Sequence, residues 1–290
     1  MKLILHLVKF DWAGGTKQLG KRLGEIAVTA EHNGFDGISI SDHLWLHPII
    51  GGPDGNMLEA YTTLAHLAAY THRVRLLTQV TAVPYRHPGV LAKTVTTLDV
   101  LSGGRACLGI GAGDYEEEAR GLGIPFPPLA ERFEMLEETL QICLHMWSGN
   151  EQPYTGKHYQ LEHPRNQPQS LSTPHPPILV GGDGERKTLR LVARYADMCS
   201  LRPKPEIPHK LDVLRRYCDE EGRDYDAIEK GCAFAFDVGD DGAKADELIG
   251  RLRWLASMGI QTVFGFVPNV GDITPLEIIG SRVIPAVAGL

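Results

Sequence analysis

Short runs rich in apolar and β-branched residues alternate along the chain with longer stretches in which apolar residues recur every three or four positions. The short runs have the length and composition of buried strands. Their distribution predicts eight strands, at residues 2–8, 36–41, 73–80, 105–111, 177–181, 197–201, 232–238 and 261–267.

The stretches between these runs have the spacing of helices with one apolar face. Apolar residues three or four positions apart line up along one side of a helix, and that side buries against a sheet. The spacing is clearest in three groups, which are Leu19, Leu23, Ile26, Ala27 and Ala30; Phe133, Leu136, Leu140, Cys143 and Trp147; and Leu248, Leu252, Leu255 and Met258.

Eight strands that each precede a helix predict an α/β fold, the (β/α)8 TIM barrel, as a single domain over residues 1–290. A doubly wound open sheet has the same alternation but usually fewer strands, and it is the alternative. The surplus length falls in two excursions, at residues 46–56 after the second strand and at residues 148–177, an insertion loop before the fifth strand. We expect both to act as lids that contact a substrate.

Charge and composition narrow the class of partner. The chain has 29 Lys and Arg against 36 Asp and Glu, a formal net charge of −7, and no basic block of the kind that binds nucleic acid. No apolar run is long enough to span a bilayer, and the amino-terminal segment lacks a small-residue cleavage site. We therefore expect a cytoplasmic protein without a nucleic-acid or membrane partner. The five cysteines form no C-x-x-C pair, which indicates buried thiols.

In a barrel, the chemistry is expected at the carboxyl ends of the strands. Asp42 and His43 follow the second predicted strand, and they combine an acceptor with a side chain that titrates near neutrality. The pair would anchor a ring N–H and exchange a proton, or Asp42 would cap a turn beside a structural histidine. His47 lies four residues after His43, but no third ligand and no HExxH motif accompany them, so no metal site is predicted.

Glycines cluster after the fourth and fifth predicted strands. The segment Gly181-Gly182-Asp183-Gly184 precedes a helix, an arrangement in which backbone N–H groups bind a phosphate, although a plain turn is the alternative. The run from Gly109 through Gly111 to Gly113 fails the G-x-G-x-x-G motif because Asp114 follows, but its small residues would let a flat ligand lie on the backbone. No nucleophile elbow and no P-loop is present. A phosphorylated planar cofactor of the flavin type fits these features best.

A series of short motifs covers most of the chain. In order they are GFDGISISDH at residues 34–43, THRVRLLTQV at 71–80, RHP at 86–88, SGGRACLGIGAG at 102–113, EEE at 116–118, GIPFP at 123–127, ERF at 131–133, Y-x-G-x-H-Y at 154–159 and PPILVGG at 176–182. Together these motifs resemble those of the luciferase-like flavin-dependent oxidoreductases, and particularly their coenzyme F420-dependent branch.

The resemblance implies an oxidoreductase that uses coenzyme F420 for hydride transfer to or from a small organic substrate, with FMN as the alternative cofactor. Reduced FMN activates oxygen for insertion into a substrate, whereas the deazaflavin F420 is largely restricted to hydride transfer. The resemblance also implies a homodimer. A flavin-binding protein without turnover and a metal-dependent barrel hydrolase are the other function classes, and the hydrolase lacks the His and Asp cluster that it requires.

The same resemblance implies roles for individual residues. His43 would act on a substrate proton with the assistance of Asp114, and Asp42 would contact the cofactor ring. The remaining cofactor-binding positions would be Thr78, Gln79 and Val80, with a cis peptide bond between the last two; Gly111 and Gly113; and Gly181, Gly182, Asp183 and Gly184 at the phosphate.

Overall fold

Eight parallel strands form a closed barrel in the computed structural model, which describes residues 1–290. The strands are β1 (Lys2–Leu7), β2 (Gly37–Ile40), β3 (Arg75–Thr78), β4 (Ala106–Gly111), β5 (Ile178–Gly181), β6 (Met198–Leu201), β7 (Glu229–Ala235) and β8 (Thr262–Phe266). Their order around the barrel is β3-β2-β1-β8-β7-β6-β5-β4, and the pairing of β3 with β4 closes it. This closure confirms the predicted barrel and rules out the open sheet.

Helices connect successive strands and cover the outside of the barrel. They are α1 (Leu19–His32), α2 (Ala60–Ala68), α3 (Pro88–Ser102), α4 (Glu116–Gly121), α5 (Leu129–Trp147), α6 (Thr188–Tyr195), α7 (Ile207–Glu221), α8 (Ala245–Ser257), α9 (Thr274–Ile278) and α10 (Ile284–Val287). The apolar stripe predicted for α1 is buried along its whole length. None of the helices has both the length and the apolar composition that crossing a membrane requires.

The apolar side chains form two separate cores. The larger contains 64 buried residues and includes side chains from both the strands and the helices. The smaller includes the alternate side chains of the strands that point into the barrel. Because these side chains come from the first or middle positions of their strands, they leave the carboxyl end of the barrel open. The smaller core consists of Ile4, Leu77, Cys107, Leu179, Met198 and Phe264.

The predicted bounds of the seventh strand were wrong by three residues at each end. The strand begins at Glu229 because the charged side chains at its start have partners inside the fold. The ammonium of Lys230 donates to the carbonyl of Tyr225 at 2.7 Å. The carboxylate of Glu229 lies 2.7 Å from Nζ of Lys2. A pattern of apolar residues does not reveal a strand that begins with two charged residues.

The insertion at residues 148–177 packs against the outer helices. It contains a short antiparallel pair, Tyr154–Thr155 with Gln160–Leu161. Farther along, the backbone N–H groups of Leu171 and Ser172 donate to the carboxylate of Asp99 on α3, at 2.7 and 2.9 Å. The insertion before the fifth strand is therefore confirmed as a feature of the fold, held on the side of the barrel.

Candidate functional site

A cavity of about 430 Å³ opens at the carboxyl end of the barrel, which is where the sequence predicted the chemistry. We call it the barrel-end cavity. Ten of the candidate site residues line it together, namely His43, Gln79, Val80, Gly111, Gly113, Asp114, Gly181, Gly182, Asp183 and Gly184. The sequence assigned no site role to the other lining residues, which are Ala82, Ala112, Phe133, Thr188 and Ser200.

A bulge after β3 supplies one wall of the barrel-end cavity. The peptide bond between Gln79 and Val80 is cis, as the resemblance implied. A Cβ atom on Gly181 would lie 2.9 Å from Cγ1 of Val80, and one on Gly111 would lie 3.0 Å from Cγ2 of the same side chain. Both positions are glycine because a larger residue would collide with this bulge. The wall is consequently a smooth surface of backbone and one valine.

Gln79 extends this wall toward β6. Its side-chain nitrogen Nε2 donates to Oγ of Ser200 at 2.6 Å. Its side-chain oxygen Oε1 is buried and has no hydrogen-bond partner in the protein. Buried polar groups are normally paired, so an unpaired amide oxygen on a cavity wall is a position where a ligand donor would bind.

Asp42 and Thr78 lie behind the cavity wall and do not line the cavity. The Asp42 side chain is fully buried, since its carboxylate accepts hydrogen bonds from Thr81 at 2.7 Å and from Arg86 at 2.8 Å. The hydroxyl of Thr78 donates to the carbonyl of Gly109 at 2.7 Å. The prediction that these two side chains contact a cofactor directly is not supported by this placement, because protein groups already occupy their polar atoms.

Arg86 neutralises the charge of Asp42 from beneath. Its guanidinium also lies 2.6 Å from the carboxylate of Glu59 and 4.6 Å from the centre of the Tyr61 ring. Burial disfavours the charged form, but the neighbouring carboxylate of Asp42 raises the pKa of Arg86 above its ordinary range. The motif RHP at residues 86–88 contributed to the resemblance, but the sequence assigned Arg86 no role. In the structure, Arg86 pairs with the buried carboxylate of Asp42.

His43 lines the barrel-end cavity and is fixed from its far side. Its Nδ1 atom lies 2.8 Å from Oε2 of Glu118. Burial alone would lower the pKa of His43, but the hydrogen bond and charge of Glu118, followed by the charges of Asp114 and Asp42, raise it above its ordinary value. The imidazolium of His43 is therefore stabilised relative to that of a free histidine side chain.

Glu118 is one of the site residues to which the sequence assigned no role. It is the one buried member of the three consecutive glutamates at the start of α4, and its side chain has 0% exposure. Besides His43, its carboxylate accepts hydrogen bonds from the backbone N–H groups of Leu44 and Trp45 and from the hydroxyl of Tyr85. In the sequence, the three glutamates look like acidic residues that stabilise a helix N-terminus, and nothing local distinguishes the third.

Asp114 lies on the rim of the barrel-end cavity, directly after the Gly-x-Gly-x-Gly run, and its side chain is exposed. Gly113 before it has φ of 80°, a left-handed conformation that glycine adopts without strain. The guanidinium of Arg132 donates to the carbonyls of Ala112 and Gly113, at 3.0 Å for the former, and thereby fixes this turn. Asp114 is consequently held at the same cavity as His43.

The loop after β5 has the features of an anion site. Gly182 has φ of 111°, and the backbone N–H of Gly184 makes no hydrogen bond to a protein acceptor. The hydroxyl of Thr188, the first residue of α6, lines the cavity and has no hydrogen-bond partner in the protein. Two unpaired donors at the N-terminus of a helix of eight residues favour an anion. Thr188 was not predicted, because threonine is common at the start of helices that bind no ligand.

Asp183 lies in this loop and is paired with Arg202. Both carboxylate oxygens accept hydrogen bonds from the guanidinium, each at 2.7 Å. This hydrogen bonding, with the positive charge of Arg202, lowers the pKa of Asp183 below its ordinary value. Because Arg202 balances the carboxylate, Asp183 does not place an uncompensated negative charge beside the unpaired donors.

Neither of the two predicted lids lines the barrel-end cavity. The insertion at residues 148–177 is held against the outer helices, as its contacts with α3 show. The excursion at residues 46–56 starts near the cavity, with the ring centre of His47 5.2 Å from that of His43 and 4.9 Å from that of Tyr115. The expectation that residues 148–177 cover the pocket was wrong, because their length is used on the outer surface of the barrel.

Comparison with known proteins places this geometry in a family. Residues 1–274 match the model of the luciferase-like monooxygenase family. The chain is 34% identical over 196 residues to the F420-dependent glucose-6-phosphate dehydrogenase of Microbacterium testaceum, an alignment that covers 66% of this chain and 55% of that protein. It is 31% identical over 230 residues to the protein of the same name from Nakamurella multipartita, covering 77% of this chain and 65% of that protein. The chain thus spans less than two thirds of the length of either relative.

A solved structure supports the same assignment at the level of the fold. The chain superposes on the coenzyme F420-dependent tetrahydromethanopterin reductase of Methanopyrus kandleri with a TM-score of 0.79 and 19% identity, covering 98% of each chain. At this identity the likeness concerns the fold alone, and that fold agrees with the closed barrel described above. Since the family model covers nearly the whole barrel, the chain belongs to the luciferase-like monooxygenase family.

Proposed function

We propose that this protein is an oxidoreductase that binds coenzyme F420 in the barrel-end cavity and transfers a hydride to or from a small organic substrate. The observation that carries this proposal is the combination of features in one cavity. A glycine-lined wall with the Val80 bulge suits a flat ring, and the loop after β5 suits a phosphate. Curated relatives named as F420-dependent enzymes support the choice of cofactor.

The residues present fit such a cofactor. Gly111 and Gly181 leave the space beside Val80 that a ring requires, since a Cβ atom on either would fill it. The unpaired N–H of Gly184 and the hydroxyl of Thr188 would bind the phosphate. The free amide oxygen of Gln79 would accept a hydrogen bond from a ring N–H.

The chain's own chemistry in this reaction is proton transfer. When bound, F420 would supply the centre that accepts or donates the hydride. In the oxidising direction, His43 would take the proton from a substrate hydroxyl as the hydride leaves the carbon, and in the reducing direction it would return that proton. The charge of Asp114, on the same cavity, favours the imidazolium that forms. Arg86 would hold Asp42 and the strand end beneath His43 in place.

FMN is the second candidate cofactor. It shares a planar tricyclic ring and a phosphate with F420, so the same wall and the same unpaired donors would accept it. The match to the luciferase-like monooxygenase family favours it, because monooxygenation is chemistry that reduced flavin supplies and a deazaflavin does not. A flavin-binding protein without turnover is the remaining alternative, and it would use the same cavity without requiring His43.

The substrate class is less defined than the cofactor. The curated relatives are named for glucose 6-phosphate, which makes this sugar phosphate the first substrate to test. The chain spans only 55% and 65% of those proteins, so the substrate of the longer proteins is a starting point for the test. The homodimer and the cytoplasmic location that the sequence indicated stay predictions, and light scattering of the purified protein would test the former.

Two titrations and one assay test the proposal. The purified protein is titrated separately with F420 and with FMN, and binding is followed by the change in cofactor fluorescence. Saturable F420 binding, together with loss of the F420 absorbance when glucose 6-phosphate is added, is the expected result. Binding of FMN alone, with substrate-dependent oxygen uptake, would instead identify a monooxygenase. Binding of neither cofactor at micromolar concentration would refute the proposal.

A further inference from the structure

The carboxylate of Glu118 accepts hydrogen bonds from four donors in the protein. The backbone N–H groups of Leu44 and Trp45 both donate to Oε1, the latter at 2.9 Å. The hydroxyl of Tyr85 and the ring nitrogen Nδ1 of His43 both lie at Oε2, the ring nitrogen at 2.8 Å. Two separate segments of the chain, residues 43–45 and the segment that carries Tyr85, therefore converge on one fully buried side chain.

These donors determine where the proton lies between Glu118 and His43. A backbone N–H only donates, so Oε1 carries no proton, and a carboxylate with several donors is stabilised in its ionised form. Burial would raise the pKa of Glu118, but the hydrogen bonds from His43, Tyr85 and the two backbone groups lower it below its ordinary value. An ionised carboxylate only accepts, so Nδ1 of His43 must carry a hydrogen.

The other ring nitrogen of His43 is then the reactive one. Nε2 makes no hydrogen bond within the protein, and the side chain that carries it lines the barrel-end cavity. In the neutral ring, a hydrogen on Nδ1 leaves the lone pair on Nε2, where it can accept a substrate proton. A carboxylate behind Nδ1 also stabilises the imidazolium that results.

We propose that Glu118 is the positioning residue for His43, because its buried carboxylate holds the hydrogen on Nδ1 and so presents Nε2 as the proton acceptor and donor in the cavity. This proposal rests on the proposed function only for the identity of the reaction that the proton transfer serves. The tautomer and the orientation of the ring follow from the contacts of Glu118 alone.

Other ionisable groups face His43 from every neighbouring element, but Glu118 alone is hydrogen-bonded to its ring. The charges of Asp114 and Asp42 raise the pKa of His43 without a hydrogen bond, and the charge of His43 in turn helps to lower the pKa of the buried His6 on β1. Removal of Glu118 is therefore expected to change the tautomer, whereas removal of the others is not. The groups around His43 are His6, Asp42, His47, Tyr85, Asp114, Tyr115 and Glu118.

The first test is the tautomer of His43 itself, measured without cofactor or substrate. Long-range proton–nitrogen NMR spectra of the full chain distinguish a ring nitrogen that carries hydrogen from one that does not, and the spectrum of His43→Ala assigns the signal. In the wild-type protein above the pKa of His43, we expect the hydrogen on Nδ1. A wild-type ring with its hydrogen on Nε2 overturns the proposal, and this result does not depend on any variant folding.

The second test is Glu118→Gln, which keeps the shape of the side chain but replaces one acceptor oxygen with an amide that donates. With its oxygen still facing Leu44 and Trp45, the amide would donate to Nδ1 and move the ring hydrogen to Nε2. Glu117→Gln is the matched control, since it makes the same change on the preceding exposed residue of α4. We expect the tautomer to reverse in Glu118→Gln and to stay unchanged in Glu117→Gln. An unchanged tautomer in a folded Glu118→Gln protein contradicts the proposal.

Activity then separates this proposal from the proposed function. In Glu118→Gln we expect F420 affinity to stay within about twofold of wild type while turnover falls by about 10²- to 10⁴-fold, the range for a misplaced acid or base. The pH at which turnover is half-maximal should also shift downward, because the His43 ring loses its anionic partner. If the wild-type protein binds no F420, the proposed function fails while the NMR result stands. Full turnover in Glu118→Gln with a reversed tautomer would overturn the positioning role.

Discussion

Arg86 and Asp42 form a two-point ion pair beneath the barrel-end cavity. Nη2 of Arg86 lies 2.8 Å from Oδ1 of Asp42, and Nε lies 3.2 Å from Oδ2. The pair joins the segment after β3 to the end of β2, immediately before His43. Two parallel hydrogen bonds between charged groups define both a distance and an orientation, so the pair holds the strand end as a rigid support for the residue that follows it.

Arg86→Met tests this support. Methionine keeps much of the side-chain volume but leaves the buried carboxylate of Asp42 without its cation, and an unpaired buried charge is strongly destabilising. We expect the free energy of unfolding to fall by about 3 kcal/mol, the lower end of the range for a broken buried pair, since Arg86 is partly exposed. Urea denaturation followed by circular dichroism measures the change.

Arg120→Met is the matched control for this prediction. Arg120 is largely exposed and pairs with Glu116 on the surface of α4 at 2.7 Å. Surface pairs of this kind contribute at most about 1 kcal/mol, so the control should remain close to wild type. An equal loss of unfolding free energy in both variants would mean that Arg86 does not stabilise the buried carboxylate of Asp42 beneath the cavity.

The sequence predicted the barrel because the barrel depends on local patterns. The eight runs of apolar residues and the helical stripes between them reflect burial on a sheet or helix face, and such burial has a fixed period. The loop at Gly182 was likewise visible, since it joins a short apolar strand to a helix. The start of β7 was not visible, because Glu229 is paired with Lys2 at the other end of the sequence and the buried Lys230 donates to the backbone carbonyl of Tyr225.

Glu118 and Arg86 could not be assigned roles from the sequence for the same physical reason. Which of three consecutive glutamates faces inward depends on the direction from which α4 approaches the barrel. The partners of Glu118 come from residues 43–45 and from Tyr85, which are distant in the sequence. Their approach to one carboxylate is a property of the tertiary structure, and no spacing in a single sequence records it.

The glycine run after β4 shows how one pattern can have several causes. A Cβ atom on Gly109 would lie 1.8 Å from the carbonyl oxygen of Thr78, so this glycine serves the packing of β4 against β3. Gly111 gives space to Val80, while Gly113 adopts a left-handed backbone. The sequence suggested one role for the run, a flat surface for a ligand. Of the three glycines, only Gly111 and Gly113 line the barrel-end cavity.

Gly182→Asp tests the anion site. A carboxylate at this position would lie beside the N–H of Gly184 and the hydroxyl of Thr188, where we place the cofactor phosphate, and the two negative charges would repel. Gly182 has φ of 111°, so any side chain strains the backbone, and Gly182→Ala is the control that carries the strain without the charge. We expect F420 to bind at least about tenfold more weakly to Gly182→Asp than to Gly182→Ala. Fluorescence titration measures both affinities.

The salt dependence of this difference provides an internal check. Repulsion between the carboxylate and a phosphate weakens as ionic strength rises, whereas backbone strain does not. The difference in F420 affinity between Gly182→Asp and Gly182→Ala should therefore become smaller as sodium chloride is raised from about 0.05 M to about 0.5 M. Equal affinities of Gly182→Asp and Gly182→Ala at low salt would move the phosphate to another part of the cavity.

His43→Ala tests proton transfer in the barrel-end cavity. Because the ring lies on the wall without supporting the glycine surface, we expect F420 affinity to remain close to that of wild type. Turnover should fall by about 10²- to 10⁴-fold, the usual contribution of a positioned acid or base. Adding Asp114→Asn should reduce turnover little further, since two residues that act on one proton have losses that do not multiply. Steady-state assays at saturating F420 provide both comparisons. Near-wild-type turnover in His43→Ala would show that another group transfers the proton, and Asp114 would be the first candidate.

The pH dependence of stability follows from the pair between His43 and Glu118. The pKa of His43 is raised in the folded protein, so its contribution to stability is complete below pH 6.5, the ordinary value, and is lost as pH rises through the folded value. The free energy of unfolding that His43→Ala removes should therefore be larger at pH 6 than at pH 9. Urea denaturation of the variant and wild type at the two pH values measures this difference. His163→Ala, which removes an exposed histidine with no acidic partner, should have the same small effect at both. A loss in His43→Ala that grows with pH would show that the buried carboxylate does not stabilise the imidazolium.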